Sequence, residues 1–154
     1  EDHLRRLSMQ ELQSLSARGN QAATAVYAYR LAEAGAEREQ ILSILKKSAD
    51  EGSVYALKTA GDIFMTVDGQ RDATLASAYY GLQGRAGDPS GFVQRYMLSG
   101  QLSSAQRLQA DLLQETLWRS MSAAIQFDSA ADTRPGFNEF IMQGLAAVPT
   151  AQQL

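Results

Sequence analysis

Three glycine–polar dipeptides, Gly19-Asn20, Gly52-Ser53 and Gly87-Asp88, recur 33 and 35 residues apart, each just ahead of a stretch that reads as a helix. A period of that size matches one helical hairpin, a unit that cannot bury its apolar face alone and must stack on a neighbour. Setting the glycines in register brings Ala23 over Ala56 and Gly91, Tyr27-Ala28 over Ala60-Gly61 and Arg95-Tyr96, and Leu31 over Phe64. Counting back from the next glycine, Ile41, Ile44-Leu45 and Ser48-Ala49 fall over Ala76, Tyr79-Tyr80 and Gln83-Gly84. Small residues recur where two helices approach, and large ones where a core must be filled.

Local signals divide the chain finely. Ser8 and Glu11 form the S-x-x-E of a capping box, with Leu7 and Leu12 placed as a hydrophobic staple. They predict a short helix over 9–17. A second helix runs over 21–34 and stops at Gly35, a natural C-terminal glycine. The third, 38–50, carries Ile41, Ile44, Leu45, Ser48 and Ala49 as a buried stripe. The fourth covers 54–67 and ends at the turn Asp68-Gly69. Gly61 lies inside it, where a glycine costs about 1 kcal/mol relative to alanine, so either the helix ends there or a neighbour packs too closely for a side chain; its alignment with Ala28 favours a crossing of a repeat hairpin. Asp72 caps a fifth helix that runs to Arg85, and a sixth follows Pro89 and closes at Ser99-Gly100. From Ser103 or Ser104 a longer helix is predicted to Phe127, with Ala105, Leu108, Leu112, Trp118, Met121 and Ile125 as its apolar face. Asp128 to Gly136 reads as a polar loop, Phe137 to Leu145 as a last short helix, and Val148 onward as a frayed end. No alternating strand pattern bounded by turns occurs, so the chain is predicted to be all-α.

Composition agrees. Of 154 residues, 45% are hydrophobic and 20% charged, the balance of a folded chain with a continuous core. The three prolines all fall from Pro89 onward. A net charge of −3, with Arg5-Arg6 and Lys46-Lys47 as the tightest basic pairs, argues against a nucleic-acid footprint. No apolar run reaches the length of a membrane-spanning helix. Without cysteine there are no disulfides, thiolate metal sites or cysteine nucleophiles. A sequence starting at Glu1 rather than methionine reads as a processed or trimmed product.

On Gly52-Ser53, Ala56, Ala60-Gly61 and Phe64 the chain resembles the Sel1-like repeat family, relatives of the tetratricopeptide repeats. Residues 19–51 depart from that pattern by Ala28 in place of the glycine. Residues 87–100 depart further, with Tyr96 for the small residue and Ser99 for the aromatic. The resemblance implies a short right-handed α-solenoid of antiparallel helical hairpins over 19–100. Residues 1–18 would be an N-terminal capping helix, 101–147 C-terminal capping helices led by the long one, and 148–154 a flexible tail. It also implies that the first helix of each pair lines a concave face. Ala22, Ala25, Tyr29 and Ala32 would then point inward, followed by Tyr55, Lys58, Asp62 and Met65, and then Ser90, Val93 and Met97. The candidate partner-binding residues are Tyr29, Tyr55, Lys58, Asp62, Met65 and Met97. The same spacing also suits Tyr29, Met65 and Met97 as core residues beneath a C-terminal helix folded across the groove.

Catalytic chemistry finds little support. His3 is the only histidine and cannot supply a triad or a multi-histidine metal site. Gly81, Gly84 and Gly87 lack dinucleotide-loop spacing and fit close helix packing and a helix end. Asp111 and Glu115, between Arg107 and Arg119, read as a solvated face of alternating charge. The two aspartates of 68–72 flank Arg71 and read as a turn and a helix cap rather than a calcium loop. The expected function is therefore a non-enzymatic scaffold or adaptor that binds a protein or peptide without a cofactor. An inhibitor or immunity protein for a secreted toxin is its narrower form, and the resemblance points towards the periplasm or export. The alternative is a structural module whose apolar helix faces mediate homo-oligomerisation.

Overall fold

The capping box is formed: the Ser8 hydroxyl accepts from the Glu11 N–H at 3.2 Å, and the Glu11 carboxylate accepts from the Ser8 N–H at 2.7 Å. It opens α1 (Met9–Ala17), which follows a single 3-10 turn (Leu4–Arg6). The computed structural model describes residues 2–121 and 125. Among these the chain is helical, continuing with α2 (Gln21–Glu33), α3 (Arg38–Asp50), α4 (Val54–Thr66), α5 (Ala73–Arg85), α6 (Ser90–Ser99) and α7 (Ser104–Ser120). No strand occurs among the described residues, as the sequence predicts.

The recurring glycine–polar pairs are helix corners. Gly19, Gly52 and Gly87 adopt φ of +84°, +98° and +107°, a conformation that costs a side-chain-bearing residue dearly. At Gly52 the glycine N–H bonds to the Ala49 carbonyl (2.9 Å) and the Ser53 N–H to the Ser48 carbonyl (3.0 Å), closing α3 as a Schellman motif. The same two bonds recur at Gly19-Asn20 and Gly87-Asp88. The polar residue then turns to the next helix. Asn20 accepts from the Ala23 N–H at 2.9 Å, Ser53 from the Ala56 N–H at 3.3 Å, and Asp88 from the Ser90 N–H at 3.1 Å. One residue thus closes a helix and opens its successor.

Consecutive helices from α1 to α6 pack on one another, and α2 also lies beside α4. The main core joins Ala28, Ile41, Leu45, Leu57, Ile63, Phe64 and Leu82, while Leu12, Ala23 and Tyr27 form a smaller cluster under α1. Arg38 ties two layers together, lying 5.2 Å from the centre of the Phe64 ring and 3.0 Å from Asp72, the residue that caps α5.

Helix α5 is buried nearly all round, touching α4, α6 and α7. Its glycines make that possible. A Cβ on Gly81 would sit 2.0 Å from the Gln114 side chain of α7, and one on Gly84 would sit 2.6 Å from the Phe92 ring of α6. From the other side, a Cβ on Gly91 of α6 would stand 2.3 Å from the Tyr80 carbonyl oxygen.

The C-terminal helix departs from the sequence expectation in two ways. It ends at Ser120, and Met121 is extended (φ −79°, ψ 150°), so no continuous helix reaches Phe127. The Ser120 hydroxyl takes the Leu117 carbonyl at 2.8 Å, a local bond that competes with another helical turn. Its apolar face is the expected one only in part: Met121 and Ile125 are buried and Trp118 packs on the main core, but Ala105, Leu108 and Leu112 are exposed. Ala110, by contrast, is fully buried. The expected apolar spacing merges two faces, and α7 buries the one that carries Ala110, Leu117, Trp118 and Met121. Asp111 and Glu115 keep the expected solvent-facing charged stripe with Arg107 and Arg119, and their ion pairs also reach the neighbouring helices. Asp111 pairs with Arg95 of α6, and Glu115 pairs with Arg85 of α5 at 2.7 Å and with Arg119 at 2.9 Å. The expected loop over 128–136, the helix over 137–145 and the tail after 148 lie outside the described residues.

Candidate functional site

Helices α2 and α4 lie side by side, and a cleft of about 520 Å³ opens between them beneath the 3-10 turn. Ala25, Val26, Tyr29, Arg30 and Glu33 line it from α2, Tyr55, Thr59 and Asp62 from α4, and Arg5 from the turn. Residues spaced by three and four form one face of a helix, so the small Ala25 sits at the floor and the larger side chains rim it.

Of the six residues expected to bind a partner, Tyr29, Tyr55 and Asp62 line this cleft. Lys58 joins them through its ammonium, which pairs with Oδ2 of Asp62 one helical turn away. Met65 is half-buried and packs on the main core. Met97 is exposed on α6, outside the cleft lining. Ser90 and Val93, expected to face inward with it, also belong to α6 and are absent from that lining.

Asp62 is the hub of the site. Its Oδ1 accepts a hydrogen bond from the Tyr80 hydroxyl at 2.8 Å, its Oδ2 holds Lys58, and its carbonyl accepts from the Thr66 hydroxyl at 2.7 Å. Burial, and then the bond to the Asp62 carboxylate, push the Tyr80 phenol well above its ordinary value. Burial, followed by the charge of Asp62, does the same to Tyr29. Both tyrosines therefore remain protonated and able to donate.

Sequence reasoning missed the cleft's cationic side. The Arg30 guanidinium donates from Nη1 to the Leu7 carbonyl and from Nη2 to the Arg5 carbonyl, strapping the 3-10 turn to α2 at the edge of the cleft. Arg5 and Glu33 differ from the other charged residues of the lining: neither side chain forms an ion pair or a hydrogen bond with another described residue. Tyr80 was also missed, because its alignment with Leu45 marks it only as a core filler. The hydroxyl was the available signal.

A second surface lies on α6. Phe92, Val93, Tyr96 and Met97 are exposed along one face, Tyr96 to 81%, while Gly91 and Leu98 on the opposite face are buried. No helix among the described residues is long and apolar enough to cross a membrane. No protein-family model, no curated protein and no solved structure matches the chain.

Proposed function

We propose that the protein is a non-enzymatic scaffold or adaptor that holds a protein or peptide in the cleft between α2 and α4. The observation that carries this reading is the gathering of Tyr29, Tyr55 and Asp62, from two helices, around one cavity of about 520 Å³. That volume lies within the usual range of ligand pockets. Tyrosines with an apolar ring and a protonated hydroxyl suit a contact surface, since they offer area and a donor at small entropic cost. The helix pairs joined at Gly19, Gly52 and Gly87, with α2 lying against α4, support a short right-handed α-solenoid of antiparallel hairpins of the Sel1-like kind.

An affinity pull-down from the native host tests the cleft. Wild type should retain a partner that Tyr55→Ala and Lys58→Ala lose. Equal recovery by both variants would refute the assignment.

The exposed stripe on α6 favours a second reading, self-association. Its four side chains offer on the order of 500 Å² per copy, which across a two-fold pair approaches the area of a small specific interface. Light scattering decides it. A dimer dispersed by Tyr96→Glu would support self-association through α6, and a monomer at high micromolar concentration would exclude it.

A further inference from the structure

We infer that the α2–α4 cleft selects a peptide segment bearing both an acidic and a basic side chain, the acidic one met by Arg5 and the basic one by Glu33. This rests on the cleft being the partner site, and it follows from which charges in the lining are already engaged. Asp62 has one oxygen on the Tyr80 hydroxyl and the other on the Lys58 ammonium. Arg30 spends its guanidinium on the Leu7 and Arg5 carbonyls. Two ionic side chains are left without a partner among the described residues, one of each sign: Arg5 from the 3-10 turn and Glu33 at the C-terminal end of α2.

They line the same cavity yet do not pair with each other, so each can meet an opposite charge on a ligand. Tyr29, close enough to Glu33 to be influenced by its charge, lies beside the anionic end. A lysine or arginine side chain there gains a carboxylate together with an aromatic face. At the other end the guanidinium of Arg5 offers the planar fork that suits a carboxylate. A peptide with one charge only would leave the second group desolvated against nothing, which is how such a site discriminates.

The test uses the full chain and a displayed library of random dodecapeptides, selected in parallel on wild type, Arg5→Glu, Glu33→Arg and Tyr55→Ala. Circular dichroism confirms that each variant folds. Peptides enriched on wild type should carry one acidic and one basic residue at a recurring spacing. Arg5→Glu should replace the acidic residue of the enriched set by a basic one, and Glu33→Arg should make the opposite exchange. Wild-type peptides should bind each charge-reversed variant at least tenfold more weakly.

Enriched peptides that lose affinity on Tyr55→Ala but bind both reversals as well as wild type would overturn the charge assignment and leave the cleft standing. Peptides indifferent to Tyr55→Ala, or no enrichment at all, would overturn the cleft reading and this inference with it. Free L-arginine in millimolar excess should leave a selected peptide bound. Its complete displacement would show a site for a free amino acid and overturn the peptide assignment.

Discussion

The ring of Tyr80 fills the space that a side chain on Gly61 would need: a Cβ there would stand 2.6 Å from one ring carbon and 2.7 Å from the next. The ring cannot swing clear cheaply, because its hydroxyl is held at 2.8 Å by Asp62, the residue next to Gly61. Core packing between α4 and α5 and the polar hub of the cleft are thus one arrangement. The glycine that weakens α4 locally is what lets α5 deliver a hydroxyl to the site.

Gly61→Leu should therefore lower stability by about 1–3 kcal/mol through overfilling. Urea denaturation gives the number, and an unchanged midpoint would refute the crossing. Adding Tyr80→Ala to Gly61→Leu should recover part of the loss, because it empties the space that the leucine needs, and the size of the coupling measures the contact.

Tyr80→Phe keeps the ring and deletes one bond. A hydrogen bond to a charged group contributes more than a neutral one, so a loss of about 1–2 kcal/mol is expected. The cleft should also bind a partner more weakly, since Asp62 then has only Lys58 to hold it in place. A variant as stable as wild type would mean that the bond is not formed in solution.

Alkaline pH should destabilise the fold in a defined window. Burial raises the Tyr79 phenol to about 12, and Tyr29 and Tyr80 are also raised above the ordinary value near 10. Below pH 10 all three are protonated in both states, so stability is flat and this contribution is fully present. Above pH 10 the unfolded chain releases protons that the folded chain retains, and stability falls as pH climbs towards the folded values. Each such tyrosine contributes about 1.4 kcal/mol per pH unit in that window. Melting temperatures between pH 8 and 11.5 should show a plateau and then a decline, with a shallower decline in Tyr80→Phe. Decline beginning well below pH 9 would point to other groups.

Arg30→Gln removes the strap at the edge of the cleft. The 3-10 turn at Leu4–Arg6 should then open more readily, with amide exchange at Arg6 and Leu7, whose N–H groups close the turn, faster by about tenfold, the equivalent of 1.4 kcal/mol. Exchange within α4 should not change. Unaltered protection at Arg6 and Leu7 would show that contacts other than Arg30 hold the turn.

Helix ends were legible in the sequence because the groups that make them are local. Ser8 with Glu11, Asn20, Ser53 and Asp72 cap within three residues, and the glycines stop helices within one turn. Where two signals overlapped, the reading failed. Leu108 and Leu112 share apolar spacing with Trp118 and Met121, yet α7 buries the face that packs on α5 and the main core, which local spacing does not reveal. The cleft was half legible on the same grounds. Tyr29, Tyr55 and Asp62 were placed on one face by what the repeat resemblance implies, whereas Arg30 reaches carbonyls 23 and 25 residues away, and backbone acceptors leave no trace in side-chain patterning.

The corners at Gly19, Gly52 and Gly87 have a consequence for how such a chain can change length. Each sets a left-handed glycine before a polar residue bonded to the next helix, as N-cap at Asn20 and Ser53 and one position ahead of the N-cap Pro89 at Asp88. A single residue inserted at a corner would rotate the following helix by about 100° and turn its buried face outward. A whole interval from one glycine to the next would enter or leave without that penalty, because each interval ends on the same left-handed glycine closure. Duplicating 53–87 as a block should therefore yield a longer folded protein, while a one-residue insertion after Gly52 should not fold. On the repeat reading proposed above, the unit of growth is the cassette, not the residue.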